Sequence, residues 1–165
     1  MKKLNIALLI ISDTRTASTD KSGKLLKNLI EKEGHHVFVK EIVPDNIYII
    51  RSKVSNYIIN EKIDVVITSG GTGITGSDGT PEAVKVLLDK EIDGFGEIFR
   101  SISYDKIKTS SLQSRALAGV ANSTFIFILP GSVDACKTAW EKIIQHQLSS
   151  DTKPCNLVML IPRLK

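Results

Sequence analysis

Glycines occupy positions 70, 71 and 73, directly behind the apolar run Asp64-Val65-Val66-Ile67-Thr68 and Ser69. Glycines in this density let a backbone turn tightly and bring several N–H groups near one point, a concave arrangement that takes an anion, phosphate above all. Farther on, Thr80-Pro81-Glu82-Ala83 opens a helix. Thr80 suits its N-cap and Pro81 its first turn, so the free N–H groups and positive dipole end of that helix are expected beside the glycines. Asp78 lies inside the same loop. A carboxylate there can simply cap the helix, or it can hold Mg²⁺ against a polyphosphate. The plainer alternative is a glycine-rich turn with no ligand.

Two better-known phosphate loops do not fit. A P-loop needs a lysine and a hydroxyl residue directly after its last glycine, and none follows here. Gly71-x-Gly73-x-x-Gly76 does match the dinucleotide pattern. In that motif, however, the last glycine already lies in the opening turn of a helix behind a first strand. Here Ser77-Asp78-Gly79 prolongs the loop behind a third strand. No Ser-His-Asp or Cys-His nucleophile arrangement is evident. His35 and His36 are adjacent and point to opposite sides of an extended chain, a poor geometry for a shared metal, and His146 sits near a helix end. Cys136 and Cys155 form neither a C-x-x-C pair nor the spacing of a zinc site and read as reduced thiols.

The elements that must position this loop are legible as alternating patterns. Apolar runs rich in β-branched residues at 4–11, 36–43, 63–68 and 124–129 predict strands. Between them, Leu25, Leu26, Leu29 and Ile30 form one helical face, closed by Gly34, and Ile47, Ile50, Val54, Tyr57 and Ile58 form another. Cys136, Trp140, Ile143 and Ile144 repeat at helical spacing as a core stripe. Strands alternating with amphipathic helices predict an α/β fold, a three-layer sandwich with a mostly parallel central sheet, in one domain over residues 1–165. Ligands in such sheets collect beyond the carboxyl ends of the strands near a topological switch point. Ser12, Asp13 and Thr14 end the first strand at that edge and can bind substrate or cap the next turn. The run 157–161 reads as an edge strand or a subunit contact.

Composition excludes several classes. Apolar residues make up 42% and charged residues 24%, and no stretch approaches the roughly 20 apolar residues of a membrane helix, so no membrane span is expected. Lys2 and Lys3 ahead of the first apolar run imitate a signal peptide, but the run lacks a small-residue cleavage site and reads as a buried strand. A soluble, cytoplasmic protein is expected. The net charge of +4 comes from dispersed lysines, and aromatic residues are only 5%, which argues against a nucleic-acid face while still attracting small anions.

The stretch Thr68-Ser69-Gly70-Gly71-Thr72-Gly73 followed by Asp78-x-Thr80-Pro81-Glu82-Ala83 resembles the signature of the MoaB/MogA molybdopterin-binding family. Counterparts occur in the same order at Ile11-Ser12-Asp13 with Asp20-x-Ser22-Gly23, Val43-Pro44-Asp45, Gly94-Phe95-Gly96-Glu97-x-x-Arg100, Gln113-Ser114-Arg115-Ala116 and Leu129-Pro130-Gly131-Ser132. The resemblance implies a homotrimer or homohexamer that binds molybdopterin, a pterin dithiolene with a terminal phosphate. Catalytic members join that phosphate to AMP from ATP with Mg²⁺, releasing pyrophosphate. Asp45 and Asp78 fall on the acidic positions that active members use for Mg²⁺ and nucleotide. Some members of the B branch lack those acids; this chain keeps both, which favours catalysis. The similarity is nonetheless nearest to that branch, so a non-catalytic molybdopterin-binding or delivery protein is the alternative.

The resemblance extends the candidate substrate site from Ser12, Asp13 and Thr14 to Ser69, Gly70, Gly71, Thr72 and Gly73, and on to Glu97, Arg100, Ser111, Ser114, Arg115, Pro130, Gly131 and Ser132. Bidentate arginines suit phosphate oxygens. A surface ion pair is the plain alternative for each, and Glu97 with Arg100 has the spacing for one.

Overall fold

The first strand is apolar along its length because both of its faces are covered. Ile6 and Leu8 point into one core with Leu26, Phe99, Phe127 and Trp140, while Ala7 and Leu9 point into another with Ile50, Val54, Val66 and Ile126. Two cores on opposite faces of one sheet make three layers. The computed structural model describes residues 2–164. In chain order its elements are β1 (Asn5–Ile11), α1 (Lys21–Lys32), β2 (His36–Val43), α2 (Ile47–Ile58), β3 (Val65–Ser69), α3 (Thr80–Val84), β4 (Lys90–Glu91), α4 (Asp93–Ile107), β5 (Leu117–Ala121), β6 (Thr124–Leu129), α5 (Val133–Ala139) and α6 (Gln145–Gln147). A π-helical turn, Trp140–Ile144, joins the last two. Among the described residues no helix is long and apolar enough to cross a membrane.

The sheet order is β2-β1-β3-β6-β5-β4. The first four of these strands run parallel, and β5 and β4 are antiparallel to their neighbours. From β1 the chain passes to β2 on one side and then to β3 on the other, so the topological switch lies between β1 and β3. The chain leaves their paired carboxyl ends, Ile11 and Ser69, toward opposite sides of the sheet, which leaves a crevice there beside the end of β6.

The sequence pattern does not reveal β4 and β5. β4 is two residues long, and β5 is an Ala- and Gly-containing segment whose Gly119 lets Leu88 and the Lys90 carbonyl approach where a Cβ would stand. β5 turns into β6 through Asn122 and Ser123, at φ 45° and 68°, the left-handed pair of a tight hairpin. The run 157–161 forms no edge strand. Val158–Arg163 coils as a short 3₁₀ helix, started by Asn156 accepting from the Met159 amide at 3.1 Å, with Val158 buried in the core.

His35 and His36 do diverge, the first buried and the second exposed. The His35 ring stands edge-on to Trp140 with centroids 6.4 Å apart, and its Nδ1 accepts the Leu4 amide at 3.3 Å. Burial holds its pKa below the ordinary 6.5. The unfolded chain therefore takes the proton first, so this residue's contribution is complete above pH 6.5 and is lost as pH falls below it. The urea midpoint should drop further in the native protein than in His35→Gln between about pH 8 and about pH 5; equal drops would contradict the assignment.

Candidate functional site

The glycine loop is shaped by where its carbonyls go. Gly70 and Gly71 adopt φ of 114° and 65°, which turns the chain away from β3. The Gly70 carbonyl accepts the Thr80 hydroxyl at 2.9 Å, and the Gly71 carbonyl accepts the Thr80 amide at 3.0 Å. The Thr72 and Gly73 carbonyls both accept Nε of Arg115, at 3.3 and 2.8 Å. With the Gly70 and Gly71 carbonyls both turned to Thr80, the amides of Gly71 and Thr72, which share those peptide units, point the opposite way. The Gly70 amide closes onto the Leu129 carbonyl at 3.0 Å, tying the ends of β3 and β6 together, and that of Gly73 helps hold the Asp78 carboxyl below its usual range. The amides of Gly71 and Thr72 donate to no other group among the described residues.

Those two residues line a cavity of about 630 Å³, within the range of small-molecule sites. Its floor is the convergence of strand ends: Ile11 and Ser12 after β1, Gly70 to Gly73 after β3, and Pro130, Gly131 and Ser132 after β6. Gly131 packs so closely that a Cβ there would lie 3.3 Å from the Gly70 Cα and 3.9 Å from Nη1 of Arg15. Arg15 is anchored by Ser22, whose hydroxyl accepts Nη1 at 2.7 Å, and it is in no ion pair among the described residues. Its cation therefore borders the glycine floor. Phe99 and Ile107 give the cavity an apolar wall, while Lys106, Ser110, Gln113, Ser114 and Thr138 supply polar groups.

Both predicted acids flank the loop. A Cβ on Gly71 would stand 2.6 Å from Oδ2 of Asp45, and one on Gly73 would stand 2.5 Å from Oδ2 of Asp78. Asp45, after β2, accepts the amide of Gly79 at 3.2 Å and has its own amide held by Asp13 at 2.9 Å. Asp78 accepts the Thr75 amide at 2.9 Å and the Thr75 hydroxyl, which hold its carboxyl below the usual range. Asp45 shifts the other way: burial raises it, the Gly79 amide opposes, and the charges of Asp78, Asp13 and Glu82 raise it further. Negative charge is thus in excess at the mouth of the loop. Two hard oxygen ligands there fit Mg²⁺, which is commonly held by one or two carboxylates together with substrate phosphates. Among the described residues no group of three or more His, Cys, Asp or Glu side chains forms a closed metal cage.

Placement separates the predicted site residues into groups. Ser12, Thr14, Gly70, Gly71, Thr72, Gly73, Asp78, Ser114, Pro130, Gly131 and Ser132 meet at the cavity. Asp13 and Asp45 stand beside the loop. Ser69 is buried beneath it, its hydroxyl 3.2 Å from the Cys136 thiol, and burial pushes that thiol up to about 11. Glu97 and Arg100 are not brought to the cavity: they face a separate depression of about 320 Å³. Arg100 folds back over Gly96 to donate to the Ala116 carbonyl at 3.0 Å, and it forms no ion pair with Glu97 among the described residues. Ser111 is buried, donating to the Lys108 carbonyl at 2.9 Å.

Thr80 is not the N-cap. Gly79 holds that position, because the Thr80 hydroxyl is spent on Gly70, and Asp78 does not cap the helix either. Sequence reasoning missed Arg15 and Lys106. Arg15 follows Ser12-Asp13-Thr14 immediately, a signal that was present; Lys106 lies on α4 outside any motif.

The family model described as "Probable molybdopterin binding domain" matches residues 7–150. Molybdenum cofactor biosynthesis protein B of Escherichia coli K12 is 51% identical over 151 residues, covering 92% of this chain and 89% of its own. A crystal structure of a molybdenum cofactor biosynthesis protein B superimposes with a TM-score of 0.89 at 43% identity, over 99% of this chain and 96% of that one. The tungsten cofactor synthesizing protein MoaB from Pyrococcus furiosus gives 0.77 at 38% identity, over 87% and 91%.

Proposed function

This chain belongs to the molybdopterin-binding domain family of molybdenum cofactor biosynthesis proteins, and on that basis we propose that it binds molybdopterin and adenylylates its terminal phosphate with Mg-ATP. The observation that carries the reading is the pair of unpartnered amides at Gly71 and Thr72, set between two carboxylates at the floor of a cavity large enough for a pterin.

In the proposed reaction an oxygen of the substrate phosphate attacks the α-phosphorus of ATP. A new P–O–P bond forms, the bond from the α-phosphorus to the bridging oxygen breaks, and pyrophosphate leaves with that electron pair. Both reactants are anionic, so the protein's work is orientation and charge screening, with no covalent step on a side chain. The Gly71 and Thr72 amides hold phosphate oxygens, and Arg15 adds a cation at the same floor. Phe99 and Ile107 offer the apolar wall, with Gln113, Ser114 and Lys106 hydrogen-bonding ring substituents. Asp78 and Asp45 would hold Mg²⁺, which supplies Lewis-acid screening of the triphosphate. A trimer or hexamer in the cytoplasm is the form in which we place this activity, by the resemblance of the motifs.

The test is purified protein with molybdopterin, ATP and Mg²⁺. Pyrophosphate release dependent on all three is expected. Tight molybdopterin binding with no release would leave a delivery protein in its place.

A further inference from the structure

From the hydrogen bonds behind the glycine loop we infer that Arg115 is a positioning residue, holding the Gly73 end of the loop and the Asp78 carboxylate in place without touching the substrate. The inference rests on the reading of this loop as the site of phosphate and Mg²⁺.

Arg115 lies in the segment before β5 and lines the separate depression shared with Glu97 and Arg100. Its guanidinium is spent on protein acceptors. Nε donates to the Thr72 and Gly73 carbonyls, Nη2 donates to the Asp78 carbonyl at 3.0 Å, and Nη1 pairs with Glu82 on α3. A single planar fork therefore spans the loop from its glycine end to its acid end. Holding the Thr72 and Gly73 carbonyls fixes the peptide units that carry the Gly73 and Ile74 amides, because a peptide's C=O and the following N–H point in opposite directions, and Gly73 is the residue that abuts the Asp78 carboxylate. Holding the Asp78 carbonyl fixes the backbone from which its carboxylate projects. Lysine cannot reproduce this, since its one ammonium has no fixed fork. Arg115 is absent from the cavity lining, although the sequence pattern suggested it as a phosphate ligand.

Glu82 supplies the discriminating test. If Arg115 is a buckle, removing Glu82's charge loosens it; if Arg115 is a phosphate ligand, freeing it from Glu82 should leave or strengthen substrate affinity. Wild type, Arg115→Ala, Arg115→Lys and Glu82→Gln would be compared by Mn²⁺ affinity from water-proton relaxation, by molybdopterin affinity without nucleotide, and by the Mg²⁺ dependence of pyrophosphate release. The expected result is Mn²⁺ affinity and half-saturating Mg²⁺ weakened about tenfold or more in both Arg115 variants and about threefold in Glu82→Gln, as for residues that orient metal ligands. Molybdopterin KM should stay within about threefold, with kcat largely restored at high Mg²⁺. Unchanged metal affinity in folded Arg115→Lys and Glu82→Gln would overturn the inference, as would a tenfold or larger rise in KM confined to the Arg115 variants. If the wild type binds Mn²⁺ but releases no pyrophosphate, adenylylation fails while the relaxation data still decide the role of Arg115. If it binds no Mn²⁺, both fall.

Discussion

Replacing Asp78 by Asn is expected to lower ATP-dependent pyrophosphate release by about 10³-fold, close to 4 kcal/mol of transition-state stabilisation, while molybdopterin affinity in the absence of nucleotide changes by less than about threefold. The substitution is close to isosteric, and it isolates charge from shape. Both recorded contacts with Thr75, from its amide and its hydroxyl, fall on one carboxylate oxygen, Oδ2. An asparagine carbonyl placed there still accepts both, though less strongly than a carboxylate, so the loop keeps its course. What disappears is the anionic oxygen available to a divalent cation next to Asp45. Steady-state kinetics over a Mg²⁺ series separate this from a folding defect, because far-UV circular dichroism should match the native protein and the melting temperature should fall by only a few degrees, as the carboxylate's stronger hydrogen bonds to Thr75 are lost. Turnover within tenfold of wild type would remove Asp78 from the catalytic machinery.

Gly70→Ala should be the most damaging single methyl in the loop. At φ 114° an L-residue is strained, and the added Cβ would overlap the Ile11 carbonyl oxygen of β1. Backbone cannot swing aside as a flexible side chain can, so strain and overlap together should cost about 3 kcal/mol or more and displace the amides that follow. Molybdopterin affinity and the urea midpoint are expected to fall together. Gly76→Ala is the control: nothing lies within 4 Å of a Cβ there, and both quantities should remain near native. A Gly70→Ala protein with native stability would mean that the approach of Gly70 to the end of β1 is looser than it stands here.

Much of the site was legible because it is written in backbone requirements. The glycines after β3 mark a turn at positive φ, and the parallel strands are nearly continuous apolar runs because both their faces are buried. These are local signals. The hairpin strand β5 was hidden because Leu117–Ala121 lacks a β-branched run and takes its register from β6 and its Asn122-Ser123 turn. Arg115 shows a different limit. The family resemblance marks Arg115 as an arginine suited to phosphate, but only the fold decides whether its fork meets a ligand or the loop's own carbonyls. Arg100 likewise turns to the Ala116 carbonyl, because Gly96 leaves room for it to fold back. Arg15 joins the cavity through the Ser22 hydroxyl of α1, a contact across the turn after β1.

A crystal structure grown with molybdopterin, Mg²⁺ and a non-hydrolysable ATP analogue tests the central claim most directly. Phosphate oxygens should lie about 3 Å from the Gly71 and Thr72 amides, with the cation on Asp78. Ligand density seated instead in the depression beside Glu97 and Arg100, with those two amides facing only solvent, would contradict it.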